Sequence, residues 1–523
     1  MLSFFSALVE QYPNRSRRDF VLSGLAHGFD IGFQGQALPT NPRNLLSARQ
    51  NQRAVTNAIM LEVSRGHTAG PFTIPPFQTL HCSPLGAAPK KDGSVRLVLD
   101  LSSPRGCSIN EGISKEEFSV EYSSFDEAVR LVQSLGPGAS MAKSDIRHAF
   151  RICPVRLDQL YLLGFRWLGY FFVDTRLPFG SRSSPFIFNE LAEVLVWALM
   201  AICGIRHILH YLDDFFICEK DAIRCQDSLS RFLDICRRAG IPIAEDKTVP
   251  PSSVMTYLGI EIDSIRQEVR LPSEKREHLC TLLAAWSNRK KCTKRELLSL
   301  IGSLSFAAKV VKPGRLFLRR LIDLSTTVKG LNFFIVLNRE ARSDIAWWSR
   351  FMVQWNGVGF FTSRKHTSFS LQLYTDACKR GMGGVYGDSW FSEAFPDQFQ
   401  DFHINVLEFF AVVSAVFTWG DRWRNSSILF HTDNTGVIHA WEKRSSKDAL
   451  IMHLIRAMFF FCAQRNIQPS FAHVAGINNS KADALSRFQV TRFRNMAPDA
   501  DELPTKISPL VWTLLEQPEL SFM

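Results

Sequence analysis

The segment Tyr211-Leu212-Asp213-Asp214 places two adjacent carboxylates between two apolar runs, residues 207–210 and 215–218. This pattern predicts a strand, a tight turn and a second strand, with the acids at the tip. Two carboxylates about 4 Å apart repel each other by roughly 4 kcal/mol at an effective dielectric constant near 20. Divalent cations relieve that repulsion, and oxygen ligands suit Mg²⁺. The segment alone is equally compatible with an acidic, exposed hairpin.

Other segments supply the context that this hairpin needs. Asp145 lies in the strand-like run Met141–Phe150, which follows the breaker Gly136-Pro137-Gly138. Residues 124–135 begin with the spacing of a capping box and predict a helix. In residues 177–185, Gly180 lets the backbone approach a flat ligand, and the closing proline suits the first turn of a helix. An aspartate, a substrate loop and an Asp-Asp hairpin follow in the order of a nucleic-acid polymerase palm.

These motifs resemble those of reverse transcriptases. The resemblance implies that Asp145 and Asp213 hold two Mg²⁺ ions, with Mn²⁺ as a substitute, and that Asp214 assists. Phe150 resembles the steric gate that excludes a ribose 2′-hydroxyl, which implies deoxynucleoside triphosphate substrates. Without the motif, Phe150 reads equally well as a core side chain.

A second group of residues is expected to bind substrate. The Asp-Gly pair at residues 92–93 lies between strand-like flanks and predicts a hairpin. Its basic side chains would grip the incoming triphosphate, as the resemblance implies, although a solvated basic hairpin is the plain alternative. Lys247 matches a lysine that protonates pyrophosphate in the family, but single lysines are usually just solvated. The predicted substrate-binding residues are therefore Lys90, Lys91, Arg96, Phe150, Phe179, Gly180 and Lys247.

The C-terminal half carries a second set of acids at the ends of predicted elements. From about residue 368 the elements follow the order β-β-β-α-β-α-α-β-α, which resembles RNase H. The resemblance assigns two Mg²⁺ ions and cleavage of RNA in RNA–DNA hybrids to four acids. Those acids are Asp376, Glu408, Asp433 and Asp483. Each alone also reads as a cap or a surface residue, and His473 reads as a structural strand residue.

The composition limits the partners and the compartment. The 523 residues carry a net charge of +11, which suits a polyanionic partner such as nucleic acid. Eleven cysteines without a Cys-x-x-Cys pair favour a reducing setting over zinc knuckles or disulfides. The N-terminus lacks signal-peptide features, and the longest apolar stretch, Val194 to Ile205, is too short to span a bilayer. We therefore expect an intracellular protein, in cytoplasm or nucleus, with no membrane partner.

The predicted fold class is α+β, a right-hand polymerase with fingers, palm and thumb followed by an RNase H-like α/β domain. We expect an N-terminal extension and the start of the fingers (1–79), then fingers and palm (80–270). A helical thumb and connection (271–345), whose basic runs would follow a duplex backbone, precedes the RNase H-like domain (346–490). Residues 491–523 are unassigned.

Among the retroelements, the sequence motifs of this chain most resemble those of DIRS-type retrotransposons and are Gypsy-like in form. The segments that show this resemblance include residues 23–33, 83–86, 210–215 and 482–488. The resemblance implies RNA template, DNA primer and RNA–DNA hybrid as partners, with a separate tyrosine recombinase and a capsid protein as further ones. Two other functions stay open: a non-catalytic nucleic-acid-binding relic, and an RNA-templated RNA polymerase, which Phe150 disfavours.

Overall fold

The computed structural model describes residues 2–90, 93–355, 357–360, 372–424, 426–443, 446, 448–465 and 467–516. The chain divides into two compact units. Unit 1 comprises residues 1–258 and 264–266, and unit 2 comprises residues 259–263 and 267–523. The predicted polymerase acids lie in unit 1 and the predicted RNase H acids in unit 2.

Unit 1 mixes helices and strands. Its helices are α1 (Leu2–Leu8), α2 (Arg15–His27), α3 (Leu46–Gln50), α4 (Gln52–Ser64), α5 (Phe125–Leu135), α6 (Ser184–Ala201) and α7 (Ala222–Ala239). Its strands are β1 (Thr68–Phe72), β2 (Leu85–Pro89), β3 (Val95–Leu99), β4 (Ser140–Asp145), β5 (Gly164–Trp167), β6 (Tyr170–Asp174), β7 (Ile208–Tyr211), β8 (Asp214–Glu219), β9 (Val249–Ser252) and β10 (Val254–Tyr257).

A four-stranded antiparallel sheet in the order β7-β8-β4-β9 forms the centre of unit 1. Residues 215–218 of β8 are fully buried, as an apolar run between two strands should be. Strand β4 ends at Asp145, earlier than the sequence predicted, because the chain turns at His148, which has a φ of 55°. A short 3₁₀ helix, Ala149–Ile152, follows. The sheet thus ends at the acid.

Two local predictions from the sequence are confirmed. The Ser124 side chain accepts from the backbone N–H of Glu127, whose side chain returns to the Ser124 N–H, and this capping box opens α5. Strands β2 and β3 pair in antiparallel register from Leu85↔Leu99 to Pro89↔Val95, which is the predicted hairpin.

The N-terminal helices belong to the core of unit 1. Phe5 of α1, Val21 of α2 and Val55 of α4 are buried in the same hydrophobic cluster as the inner face of α6. Strand β1 follows α4 and pairs with β6 in a second sheet of order β1-β6-β5. Residues 2–72 are therefore an integral part of the unit.

Unit 2 contains the remaining elements. Its helices are α8 (Ser273–Trp286), α9 (Lys294–Ala307), α10 (Arg319–Thr326), α11 (Arg339–Gln354), α12 (Ile404–Trp419), α13 (Thr435–Lys443), α14 (Ala449–Gln464), α15 (Ser480–Ser486), α16 (Val490–Met496) and α17 (Leu510–Glu516). Its strands are β11 (Ile260–Asp263), β12 (Glu268–Arg270), β13 (Lys291–Thr293), β14 (Phe334–Val336), β15 (Val358–Phe360), β16 (Gln372–Ala377), β17 (Gly381–Tyr386), β18 (Ser389–Ala394), β19 (Ser427–Thr432) and β20 (Gln468–His473).

A five-stranded mixed sheet organises the C-terminal part of unit 2. Its order is β18-β17-β16-β19-β20, with β16, β19 and β20 parallel and the other pairs antiparallel. Helices α12 to α15 follow β18 and complete the order that the sequence predicted for this region. Helix α12 packs against β16 and β17 and is buried along most of its length.

Two features of unit 2 were not predicted. The region 271–345, expected to be helical, is interrupted by β13, which pairs with β14. The described part of the segment that the sequence left unassigned, residues 491–516, packs into the unit. Phe493 of α16 lies 5.1 Å from Trp390, and Trp512 of α17 stacks on Phe399 at 6.1 Å between ring centroids.

Two apolar helices are longer than Val194 to Ile205, the longest apolar stretch predicted from the sequence. Ser184–Ala201 and Ile404–Trp423 each have the length and composition of a membrane span. They are 61% and 72% buried within the protein, as core helices of a folded unit are. Length and composition therefore give only weak evidence for a membrane span here.

A buried histidine predicts acid sensitivity of unit 2. Burial, with a smaller effect of Arg456, lowers the pKa of His453 on α14 from 6.5 to about 4. As pH falls, His453 binds a proton in the unfolded chain before it does so in the folded chain. The stability that depends on a neutral His453 is therefore fully present above pH 6.5 and is lost as pH falls towards 4. Thermal melts at pH 7 and pH 5 should show that the free energy of unfolding falls less for His453→Gln than for the wild type. The difference should be about 2 kcal/mol.

The matched control is His439→Gln, because His439 is exposed on α13. It should follow the wild-type pH dependence. Equal pH slopes for wild type and His453→Gln would contradict this prediction.

Candidate active sites

The hairpin between β7 and β8 presents two aspartates at one edge of the central sheet. Leu212, with a φ of 53°, makes the tight turn, and Asp213 follows it. The backbone N–H of Ile146 donates to the Asp213 carbonyl at 2.9 Å, which ties the turn to the end of β4. On the other side, His210 contacts the Glu193 carboxylate at 3.1 Å. The turn is therefore fixed from both flanks.

Strand pairing brings the third acid to the same edge. Asp145 of β4 lies directly opposite Asp214 of β8 in the antiparallel register. Burial raises the pKa of Asp213 above its usual value, and the nearby Asp145 carboxylate raises it further. Burial, with a contribution from Asp145, also raises the pKa of Asp214. Three half-buried carboxylates that repel one another form a site that favours cations.

Lys247 supplies a positive charge at this site. Its Nζ lies 3.0 Å from both carboxylate oxygens of Asp145. The lysine side chain is 58% exposed and the aspartate only 13%, so the ammonium group covers the acid from the solvent side. The structure thus places Lys247, which the sequence assigned to substrate binding, against a predicted metal ligand.

Two phenylalanines form an aromatic wall that begins five residues after Asp145 in the chain. The rings of Phe150 and Phe179 are 5.1 Å apart, and the guanidinium carbon of Arg96 lies 4.9 Å from the centre of the Phe179 ring. Gly180 follows with a φ of 115°, and a Cβ there would lie 1.9 Å from the Leu99 carbonyl oxygen. Only glycine fits this close approach. The structure therefore brings together Arg96, Phe150 and the 179–180 loop.

Of the two predicted hairpin lysines, Lys90 lies in the described part of the chain. It is exposed where β2 ends, and its backbone bonds to Gly93 and Ser94 in the hairpin turn. Lys91 lies outside the described residues.

Sequence reasoning missed one aromatic residue of the site. Tyr122 lies in the loop before α5, and its ring centre is 4.9 Å from that of Tyr211 in the hairpin. Burial raises the pKa of Tyr122, and the neighbouring Tyr211 adds to that effect. No motif surrounds Tyr122 in the sequence, so only the tertiary fold reveals the pair.

A second cluster of acids lies at one edge of the five-stranded sheet. Asp376 is near the end of β16, and Asp433 directly follows the parallel neighbour β19. Glu408 projects from α12. One carboxylate oxygen from each of these three residues lies within 4.8 Å of the others. Parallel strands end at the same sheet edge, which explains why residues far apart in sequence converge.

The electrostatics of this cluster fit a cation. Burial, with the Ser486 hydroxyl acting in the opposite direction, raises the pKa of Asp376 to about 6. Burial and the neighbouring aspartates raise the pKa of Glu408 to about 9. The Oε2 atom of Glu408 is buried and has no hydrogen-bond partner among the described residues. An orphaned buried oxygen beside two other acids suits a hard divalent ion, so the donor set fits Mg²⁺ or Mn²⁺.

Asp483, the fourth predicted acid, is placed differently. Its carboxylate accepts from Arg487 Nε at 2.6 Å and from Arg492 Nη1 at 3.1 Å. The structure thus brings three of the four predicted acids within 4.8 Å of one another, while Asp483 is paired with two arginines. The Asp483 charge still acts on the cluster, because it helps to raise the pKa of Asp376.

Three supporting residues were also missed. The Ser486 hydroxyl donates to Asp376 Oδ2 at 2.5 Å, and the Asn479 side chain donates to the Thr375 carbonyl at 3.0 Å. A Cβ at Gly476 would lie 3.1 Å from Asp433 Oδ2, so a small residue leaves room there. His473 ends β20 and is exposed.

Comparison with known proteins identifies the first of these regions. Residues 88–262 match the family "Reverse transcriptase (RNA-dependent DNA polymerase)". The matched part of the chain contains Asp145, Asp213 and Asp214. Similar sequences include the Pro-Pol polyproteins of simian foamy virus type 1, 24% identical over 181 residues, and of feline foamy virus, 24% identical over 226 residues. These alignments cover 34% and 43% of this chain, but only 14% and 17% of the viral polyproteins.

Solved structures extend the comparison to almost the whole chain. Two structures of the foamy viral protease-reverse transcriptase in complex with double-stranded DNA each give a TM-score of 0.51. They are 17% and 18% identical in sequence and match over 90% of this chain, covering 81% and 96% of the viral chains. The likeness shows the fold, and it confirms the predicted α+β polymerase architecture around the reverse transcriptase domain.

Proposed function

We propose that the protein is an RNA-directed DNA polymerase that extends a DNA primer on an RNA template. The observation that carries the proposal is the convergence of Asp145, Asp213 and Asp214 at one sheet edge. Bound Mg²⁺, or Mn²⁺ in its place, would lower the pKa of the primer 3′-hydroxyl and neutralise triphosphate charge. The three aspartates would hold these ions.

The remaining residues of the site would bind and orient the nucleotide. The exposed Arg96 guanidinium would pair with the triphosphate, and the Phe179 ring beneath it limits how that arginine can move. Phe150 would pack against the sugar, where a 2′-hydroxyl has no room. The test is incorporation of deoxynucleotides by the purified protein on a primed RNA template with Mg²⁺. Folded protein without incorporation would refute the proposal.

We further propose that unit 2 cleaves RNA in RNA–DNA hybrids. The cluster of Asp376, Glu408 and Asp433 supports this, because its buried, partly unpartnered oxygens fit the ions that such hydrolysis requires. Asp483 would join the cluster once hybrid phosphates compete for its two arginines. The test is cleavage of a labelled RNA strand annealed to DNA, with single-stranded RNA as the control substrate.

Phe150 provides a prediction about sugar specificity. Phe150→Val should lower the preference for deoxynucleotides over ribonucleotides by about tenfold or more, because it opens space beside the 2′ position. Steady-state kinetics with dTTP and UTP on one primer-template measures that preference. Phe150→Tyr keeps the ring and should keep the preference. If Phe150→Val lost stability and lost incorporation of dTTP and UTP to the same extent, Phe150 would be only a core residue.

Lys247 provides a prediction about catalysis. Lys247→Ala should slow single-turnover incorporation by about 10²-fold, because a general acid contributes at least that much and no other amine touches Asp145 among the described residues. Lys247→Arg keeps the charge with a much higher pKa, so it should restore nucleotide binding but not the rate. An unchanged rate in Lys247→Ala would show that the lysine is only a solvated counter-ion.

The biological setting is inferred from the motifs. We propose a retroelement enzyme of the DIRS type, acting on RNA template, DNA primer and hybrid together with a separate tyrosine recombinase and a capsid protein. The basic helices after residue 271 would follow the duplex as thumb and connection, between a fingers and palm region (80–270) and an RNase H-like domain (346–490). The eleven cysteines are all free, which supports an intracellular location.

A further inference from the structure

A buried ion-pair network lies next to the aromatic wall of the proposed nucleotide site. Its centre is Arg151, which is only 6% exposed. The Arg151 Nε atom lies 3.1 Å from the Glu62 carboxylate on α4, and its Nη1 atom lies 3.0 Å from the Asp174 carboxylate at the end of β6. One guanidinium group therefore joins two separate elements of unit 1.

Each carboxylate of the network has a second partner. His67 contacts the same Glu62 oxygen at 3.1 Å, and the Thr68 hydroxyl donates to Asp174 Oδ1 at 2.6 Å. Asp174 is 3% exposed, so its charge depends on Arg151 and Thr68 for stabilisation. A buried pair of this kind holds its partners in a fixed geometry, because breaking it leaves an uncompensated charge.

The network connects the two sides of the wall. Arg151 directly follows Phe150 in the 3₁₀ helix Ala149–Ile152. It also donates to the Arg176 carbonyl at 3.3 Å, and Arg176 in turn donates to the Ile152 carbonyl at 3.3 Å. The chain from Asp174 continues within five residues to Phe179. The relative position of the two phenylalanine rings therefore depends on contacts made by Arg151.

We propose that Arg151, held by Glu62 and Asp174, is a positioning residue that sets how strictly the site selects deoxynucleotides. The inference rests on the proposed polymerase function. It assigns a role to the N-terminal region, because Glu62 lies on α4, outside the part of the chain that matches the reverse transcriptase family. Loosening the network would let the Phe150 ring move away from the sugar without removing any group that contacts substrate.

The experiment uses conservative variants of the full-length chain. Arg151→Lys keeps the charge but cannot reach both carboxylates with a planar fork, and Glu62→Gln removes one charge at a distance from the substrate. The matched controls are Arg130→Lys and Glu10→Gln, which change exposed residues of the same types in the same unit. For every variant, kcat and KM are measured with dTTP and UTP, and thermal unfolding is followed on the same preparations.

The expected result is a selective loss of specificity. Both network variants should raise KM for dTTP and lower the preference for dTTP over UTP by about tenfold, with kcat for dTTP nearly unchanged. Glu62→Gln carries the test if Arg151→Lys does not fold. Unchanged KM and preference in a folded Glu62→Gln protein, or a fall in kcat alone, would overturn the inference. A wild-type protein that incorporates no dTTP would instead refute the proposed polymerase function.

Discussion

Asp213→Asn should abolish primer extension, with a fall in kcat of at least about 10³-fold, or about 4 kcal/mol of activation free energy. The reason is geometric. Asp213 lies at a turn whose backbone is bound to β4, and its carboxylate is already close enough to Asp145 to shift its own pKa upward. Asparagine keeps the shape but removes a negative charge that the cations require. Extension of a labelled DNA primer on RNA measures the effect.

Two controls separate chemistry from folding in this experiment. Asp227→Asn changes an aspartate on α7 that is 57% exposed and paired with Arg231, and it should leave extension unchanged. Hybrid cleavage by Asp213→Asn should also persist, because the second cluster of acids lies in unit 2. Primer extension by Asp213→Asn at the wild-type rate would rule out the proposed site.

Glu408→Gln should produce the opposite pattern, with hybrid cleavage reduced by at least about 10³-fold and primer extension retained. Glu408 contributes the oxygen without a partner in the cluster of three acids. Glutamine occupies the same volume but is a far weaker ligand for Mg²⁺. Glu442→Gln, an exposed glutamate on α13, is the matched control and should cleave normally. Wild-type cleavage by Glu408→Gln would place the hydrolytic centre elsewhere.

The same variant should not lose stability when Mg²⁺ is absent. A carboxyl group whose pKa rises from 4.5 to about 9 on folding costs stability progressively as pH rises through that range. Glutamine has no charge to bury, so metal-free Glu408→Gln should melt at or above the wild-type temperature at pH 8. Added Mg²⁺ should raise the melting temperature of the wild type but have little effect on the variant. If Glu408→Gln lost activity because it misfolded, its metal-free melting temperature would instead lie below that of the wild type.

The sequence was sufficient for local structure wherever a short motif dictates the backbone. The Asp-Asp hairpin, the capping box at Ser124 and the pairing of β2 with β3 formed as predicted, because each depends on residues only a few positions apart. The element order of the C-terminal sheet also followed from periodicity and turn residues. The β13–β14 pair did not, because its two strands are short and far apart in sequence.

The site could be predicted only in part. The sequence predicted which acids lie at the ends of strands. It did not predict that Lys247 pairs with Asp145. Nor did it predict that Asp483 pairs with Arg487 and Arg492. Tyr122 had no signal at all. These contacts join side chains whose distance depends on the packing of whole elements, and no local pattern encodes that distance.

By itself, the sequence determined which residues carry negative charge at the ends of strands, because alternation, turn chemistry and capping act over a few residues. Only the tertiary structure decided which of those charges meet, which are neutralised by a lysine or an arginine, and which buried arginine lies behind the aromatic wall. Charges interact over a few ångströms in space irrespective of their separation along the chain, so their partners and their pKa values exist only once the units have packed.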